Sequence, residues 1–401
     1  MSSITSFLIR NRSLLAFGLI LTFFSSFGQT FLISLYIPEL EQVFSLNNTK
    51  LSSMYATATM ASAFCLPWIG RLVDTVSLKR FSFGVLLGLA LACLGFSWIA
   101  HPLLIIPVFF GLRLFGQGLM SHTSISTMAR AFEADRGKAI GIATTGHSLG
   151  EAILPLLISI IIVQMGWRLA FRLEALIIVL IVIPVIFLLL RNQERDLLYP
   201  NVIQAKDQKK AQNPLLLFKE KSFWMIAPAV FILGFLNTAV FFFQIKFGTS
   251  RTWSPEWMAV SLAIFALVGA TSMVVAGPLV DRWSARRLFP FMLFPYLVGV
   301  LILSFGQAAI TYPIALAFLA MSNGAGSTIK NALFAEVFGT EVIGSVRSLF
   351  TTVMVFSTAL GPISFGLLLD QSWSFGQVFL LSAAVLLTIV IWSWSGIRRL
   401  S

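Results

Sequence analysis

Twelve times along its 401 residues the chain runs for about twenty residues with scarcely a charge, and this recurrence constrains the fold more than any motif. A bilayer's hydrocarbon core is about 30 Å thick, a depth an α-helix crosses in about 20 apolar residues. Lipid offers no partner to a backbone amide, so segments of that length must satisfy their own hydrogen bonds as helices. The runs fall at about 14–36, 51–72, 81–100, 103–128, 139–164, 169–191, 223–247, 256–280, 288–306, 310–334, 345–369 and 375–396. With 57% hydrophobic and 11% charged residues, the chain has too little polar surface to coat a soluble core of this size. The sequence therefore predicts an all-α membrane protein.

The formal net charge of +12 would point to nucleic acid on a soluble chain. Here the basic residues sit in short segments between apolar runs, where no continuous basic face can form. Cys65 and Cys93 lie inside apolar runs without metal-ligand or redox spacing, and read as small apolar side chains. The first run is longer than a signal-peptide core and lacks a small-residue cleavage site, so it reads as a permanent span. The one long connection, Asn192–Ser222, is rich in Lys, Gln, Asp and Asn and separates six spans from six. The expected organisation is an N-terminal six-helix bundle at 1–191, a middle loop at 192–222 and a C-terminal six-helix bundle at 223–401.

Lys and Arg crowd one side of the expected membrane, at Arg10, Arg12, Arg71, Lys79, Arg80, Arg130, Arg136, Lys138, Arg282, Arg286, Arg287, Lys330, Arg347, Arg398, Arg399 and throughout the middle loop. The other side carries Lys50, Arg168, Arg172, Lys246 and Arg251. Positive-inside asymmetry then places both termini and the middle loop in the cytoplasm. Short loops fit a cell inner (cytoplasmic) membrane, although Asn47-Asn48-Thr49 is a glycosylation sequon in the first outer loop and leaves a eukaryotic origin open.

Internal repetition is visible. Gly70-Arg-Leu-Val-Asp74 with Lys79-Arg80 recurs 207 residues later as Gly277-Pro-Leu-Val-Asp281 with Arg286-Arg287. Gly116 and Gly118 recur as Gly324 and Gly326 at an offset of 208, and Arg136 and Gly150 as Arg347 and Gly361 at 211. Landmarks kept in one order at nearly one offset mark two copies of one six-helix unit.

These residues resemble the major facilitator superfamily across the whole chain. Its signature between the second and third helices is a glycine, an aspartate four residues on and then a basic pair. Gly70, Asp74, Lys79 and Arg80 match it, and Gly277, Asp281, Arg282, Arg286 and Arg287 match its second copy. Thr75, Ser77 and Ser284 depart from it, the two serines standing where glycine is common. The resemblance implies twelve transmembrane helices in two pseudo-symmetric six-helix bundles working by alternating access. In the loop itself, glycine permits close helix approach, and an aspartate can meet a helix N-terminus and nearby arginines as a latch. The plainer reading is a topogenic basic loop.

Arg113-Leu-Phe-Gly116-Gln117-Gly118 looks like the family's fourth-helix motif built on an embedded arginine. At that depth an arginine costs at least roughly 2.5–3.5 kcal/mol and faces the protein interior, as a cavity or relay residue or as an interhelical tie. Glu151 lies at similar depth in the fifth span, one helical turn from His147 and so on the same face. Gly146 and Gly150 form a small-xxx-small surface there. With Arg136-Gly137, this stretch is similar to bacterial monocarboxylate and oxalate/formate-type carriers. Burial favours a neutral carboxyl and a nearby arginine favours a charged one. Glu151, aided by His147, can thus couple transport to protons, with Arg113 as its partner or a substrate anion's; the alternative is a static Arg113–Glu151 pair.

In the family, the first, fourth, seventh and tenth helices line the cavity, so Gln29, Asn237 and Asn323 are expected to touch substrate or a neighbouring helix. His122 is a weaker candidate. Lys330 and Lys246 read as snorkelling side chains, and Arg172 with Glu174 as an interfacial pair. No phosphate-binding Gly-Lys-Ser/Thr loop, zinc site or nucleophile constellation is present, so neither ATP, a metal, a cofactor nor enzymatic chemistry is expected. The expected function is secondary active transport by a monomer, as proton-coupled uptake of a small organic anion. The rival is a proton-coupled drug or metabolite exporter, favoured by an aromatic cavity and a Glu151 without an ion pair.

Overall fold

The structure, a computed structural model, describes residues 2–191, 214–339 and 342–397. A short helix, Ser2–Arg10, precedes twelve long ones. Helix α1 comprises Arg12–Gly28 and Thr30–Phe44, bent by 43°. The first unit's other helices are α2 (Asn48–Gly70), α3 (Leu78–Ser97), α4 (Pro102–Ala131), α5 (Arg136–Met165) and α6 (Trp167–Leu189). They are followed by α7 (Lys221–Ser250), α8 (Pro255–Trp283), α9 (Ala285–Phe305), α10 (Thr311–Phe338), α11 (Ile343–Asp370) and α12 (Phe375–Ile397). Among the described residues, nine helices are long and apolar enough to cross a membrane, ten with α1 counted as one bent span. Helices α2 and α10, of 23 and 28 residues, complete the twelve. Ser322, Asn323, Ser327, Thr328 and Lys330 dilute the apolar character of α10 without shortening it.

The chain forms two compact units, Met1–Phe44 with Thr57–Asp207, and Ser45–Ala56 with Gln208–Ser401. The first turns of α2 therefore group with the second unit. Of the expected middle loop, residues 192–213 lie outside the described residues, as do Arg398 and Arg399; Pro214–Lys219 forms a 3₁₀ turn leading into α7.

Glycine sets helix approach within each unit. In α5, Gly146 lies against the Leu19 carbonyl and Thr22 of α1, and a Cβ at Gly150 would stand 2.6 Å from the Phe23 carbonyl oxygen. Thr22 Oγ1 donates to the Ala143 carbonyl across this contact. The second unit repeats the arrangement, with Gly361 of α11 against the Phe235 backbone of α7 and Gly234 against Ser357. Gly150 and Gly361 thus make corresponding contacts in the two units. At the α5–α6 turn Gly166 has φ +81°, which only glycine adopts without strain.

One departure from the sequence expectation lies in α1. The apolar run at 14–36 reads as one straight span, but the helix tightens to 3₁₀ geometry at Ser25–Gly28, breaks at Gln29 (φ −85°, ψ 149°), resumes at Thr30 and tightens again at Ser34–Tyr36. Ser25 Oγ donates to the Thr22 carbonyl at 2.6 Å, and Ser34 Oγ to the Phe31 carbonyl at 2.7 Å. Such back-bonding competes with the helical ladder. Gly28 adds a backbone with no Cβ, pressed against Gly116 of α4, where a Cβ at Gly116 would lie 2.8 Å from the Gly28 Cα. Irregular backbone at membrane depth is tolerated only inside protein or beside a water-filled cavity, and Ser25–Gly28 and Thr30–Ile37 are buried.

Candidate functional site

The break in α1 gathers the first unit's polar groups. Arg113 sits in α4 where residues Leu112–Met120 widen into π-helical turns; such bulges re-aim side chains and are frequent at functional sites. Its side chain is 5% exposed, and Nη1 donates to Thr30 Oγ1 at 3.2 Å, one residue beyond the break. The Phe31 ring meets His147 of α5 edge-on, with centroids 5.9 Å apart. One turn further along α5, Glu151 is 7% exposed and takes part in no hydrogen bond or ion pair among the described residues. The salt bridges among these residues are Arg130–Asp74 and Lys138–Asp135, so Arg113 and Glu151 are not an ion pair here. Gln29 is half-buried at the break itself, its side chain making no hydrogen bond to any described residue.

In the second unit, Asn323 Nδ2 of α10 donates to Asn237 Oδ1 of α7 at 3.1 Å and to the Leu319 carbonyl at 2.9 Å. The two asparagines singled out by depth are thus a direct cross-helix pair. The positions repeating Arg113 and Glu151 hold Met321 and Pro362. Among the described residues, the buried ionisable side chains Arg113, Glu151 and Glu174 all lie in the first copy.

The basic loops differ between copies. Asp74 pairs with Arg130 at the C-terminal end of α4, at 3.1 Å, and the same Nη1 donates to the Val73 carbonyl at 3.2 Å. With side chains 32% and 63% exposed, this pair contributes at most about 1 kcal/mol. A Cβ on Gly70 would come within 3.2 Å of His122 Nε2, whereas one on Gly277 would meet nothing within 4 Å. Asp281, Arg80 and Arg287 are exposed, Lys79 is half-buried, and exposed Arg282 lies 5.5 Å over the Trp283 ring. In the second copy Glu336 of α10 takes the capping role: its carboxylate accepts the Ala285 N–H at 2.8 Å and the Arg286 N–H at 3.0 Å, while Arg286 Nη2 donates to its carbonyl at 2.6 Å. Two helix-start amides on one carboxylate is favourable capping.

Ser284, at the family's glycine position, holds φ +65° and ψ 151°, a region that glycine alone populates freely. Such a residue stores about 1–3 kcal/mol. Ser284→Gly is therefore expected to raise the unfolding free energy by at least about 1 kcal/mol in detergent. The matching Ser77→Gly, at φ −57°, is expected to give no gain. Equal effects at the two serines would show that the backbone of Ser284 is not strained.

Two readings of single residues need correction. Glu174 is not an interfacial partner of Arg172, which is exposed. It is fully buried, accepting from Tyr36 Oη at 2.6 Å and Cys93 Sγ at 3.7 Å. Cys93 is accordingly a donor as well as a small apolar residue, and Tyr36 stacks on Phe171 with centroids 4.0 Å apart. Three residues 138 positions apart at the extremes meet only through the fold, so no local pattern announces them. Lys246 does not simply snorkel: its Nζ donates to Asn48 Oδ1.

The chain matches the Major Facilitator Superfamily over residues 18–362 and 253–399, and belongs to that family of membrane transporters. It is 25% identical to human monocarboxylate transporter 11 over 389 residues, covering 90% of this chain and 78% of the relative. It is 24% identical to the hexuronate transporter of Bacillus subtilis over 378 residues, covering 88% and 87%. Its fold matches the crystal structure of a bacterial homologue of the human lysosomal transporter Spinster with TM-score 0.77, 14% identity and 97% of each chain covered.

Proposed function

We propose that the protein is a monomeric secondary active transporter that carries a small organic anion inward with protons, by alternating access, across a cytoplasmic membrane with both termini in the cytoplasm. The observation that carries this reading is the first-unit cluster: buried Arg113 and buried, unbonded Glu151 on two helices around a broken third. Discontinuous helices at mid-membrane are where secondary transporters hold substrate and coupling ion. Arg113 supplies the positive charge for a carboxylate cargo, and Glu151 with His147 supplies the proton site. Gln29, Asn237 and Asn323 supply neutral hydrogen bonds to the cargo, and the paired basic loops bias the two access states. The names of the human and Bacillus relatives both carry carboxylate solutes, which supports an anionic cargo.

A second reading, proton-coupled export of a drug or metabolite, is favoured by two observations: Glu151 has no ion pair among the described residues, and Phe31 packs beside its neighbour His147. Proteoliposomes enclosing a pH dye separate the two. Under the uptake reading, adding glucuronate or lactate outside acidifies the interior in step with solute entry, and neutral glucose does neither. Solute entry with no proton movement would end the coupling claim, and proton entry coupled to solute leaving would establish export instead.

A further inference from the structure

A polar cavity of ≈ 860 Å³ lies at the far end of α7 in the second unit, within the size range of small-molecule sites. It shares no residue with the Arg113 cluster. Its wall includes two cations, Lys246 and Arg251, with Asn48, Gln307, Gln377 and Ser374, and contains no aspartate or glutamate. Like charges around one space repel each other, and an anion between them offsets that cost.

A carboxylate next to the wall, Asp370, is already committed. Asp370, next in sequence to the lining residue Leu369, accepts from Asn48 N at 3.2 Å, Asn48 Nδ2 at 2.7 Å, Thr49 N at 2.9 Å and Thr49 Oγ1 at 2.6 Å. Its charge is held against the first turn of α2, where helix-start amides favour it. Lys246 reaches the opposite side of the same Asn48 amide, which separates the ammonium from Asp370. Arg251 Nη2 donates to the Ser304 carbonyl at 3.3 Å, and the guanidinium lies 5.9 Å from the Phe247 ring centroid. A guanidinium has five donors in a planar fork that matches a carboxylate. Apart from the Ser304 bond, those of Arg251 have no hydrogen-bond acceptor among the described residues. The amide of Gln307 suits the hydroxyls of a polyhydroxy acid, as does Nε2 of Gln377, whose Oε1 already accepts from Ser374 N and Oγ at 2.8 and 3.1 Å.

We propose that this cavity binds a small organic carboxylate of sugar-acid size, with Arg251 holding the carboxylate through its fork and Lys246 adding the second charge. In the orientation proposed above it opens outward, and the bound anion is then cargo awaiting the transport site. That last step alone rests on the proposed function; the binding does not.

The test uses the full chain carrying Arg113→Gln, which removes the anion site of the proposed function, in nanodiscs of zwitterionic lipid. Labelled glucuronate is expected to bind saturably and more weakly as salt rises, and labelled glucose not to bind. Adding Arg251→Gln is expected to lower glucuronate affinity about tenfold, as loss of a charge-assisted bidentate contact does. Adding Arg251→Lys instead, which keeps the charge and loses the fork, is expected to cost less than Arg251→Gln, and Lys246→Gln several-fold. A thermal melt of each variant confirms that it is folded.

Binding absent in the Arg113→Gln background but present in the wild type would overturn the inference while supporting the first-unit site. Affinities unchanged by both outer substitutions, or equal binding of glucose, would also overturn it. Displacement of glucuronate by anionic lipid at constant salt would assign the cavity to lipid headgroups and overturn it too. Binding that persists in a protein that transports no anion would support the cavity and sink the proposed function.

Discussion

Glu151→Gln is expected to abolish accumulation of solute against its gradient while leaving exchange of labelled for unlabelled solute intact. Gln keeps the shape of Glu and cannot release a proton. A pH unit is worth about 1.4 kcal/mol, so one proton per solute under a gradient of about two units supports roughly a hundredfold accumulation. The variant should instead stop near equal concentrations, and its uptake rate should lose its dependence on external pH. The geometry motivates this size of effect. Glu151 is 7% exposed, and no described donor or cation meets its carboxyl. A carboxylate in that setting lacks what would offset its desolvation, so proton binding at this position is the chemistry that Gln removes. A structural Glu151 would have shown bonds for Gln to weaken, and it has none. Accumulation and pH dependence that survive in Glu151→Gln would remove Glu151 from the coupling.

Much of this architecture is legible in the sequence because membrane folding depends on quantities that a sequence displays. Span length follows from bilayer thickness, and the repeat follows from offsets that hold within a few residues between Gly70 and Gly277, Gly116 and Gly324, and Gly150 and Gly361. Arg113 and Glu151 stand out because ionisable groups at hydrocarbon depth are costly enough to be rare. What the sequence does not display is geometry that apolar residues share with helix. The run at 14–36 carries no proline, so the break at Gln29 hides behind high hydropathy; Ser25, Ser26 and Gly28 are its only local trace, and serine and glycine are common in membrane helices. The π-helical turns around Arg113 leave no mark on residue spacing. The Tyr36–Glu174–Cys93 cluster is out of reach for a different reason: Glu174 stands two residues from Arg172, which suggests a local pair, and only the packing of α1, α3 and α6 brings it to Tyr36 and Cys93 instead.

The two copies also diverged where it matters. Close-packing glycines were kept in both, at Gly150 and Gly361, while the positions corresponding in sequence to Arg113 and Glu151 hold Met321 and Pro362. Backbone contacts hold the shape of a bundle and are needed twice. A second buried arginine would add its insertion cost of at least roughly 2.5–3.5 kcal/mol, which a close-packing glycine does not carry.

That division predicts opposite outcomes for one substitution at different glycines, the second large effect expected of this structure. Gly150→Ala and Gly361→Ala should each destabilise the protein by about 3 kcal/mol or more, at or beyond the usual range for overpacking, because the obstruction is backbone. A Cβ at Gly150 would stand 2.6 Å from the Phe23 carbonyl oxygen, and one at Gly361 would press on the Phe235 carbonyl. Neither helix can yield without parting the α1–α5 or the α7–α11 contact along its length. Gly137 of α5 and Gly277 of α8 have nothing within 4 Å of an added Cβ. There alanine should be tolerated and at best stabilise by about 0.5–1 kcal/mol, the usual gain over glycine inside a helix, less at Gly137 in the first turn and at Gly277 before Pro278. Unfolding of the four variants in mixed micelles measures all of this on one scale. The decisive comparison is Gly361 with Gly277: both are repeated glycines of the second unit, yet only Gly361 lies against another helix. If both tolerate alanine equally, duplication of the glycines does not report duplication of the packing, and the two-copy architecture loses its physical basis.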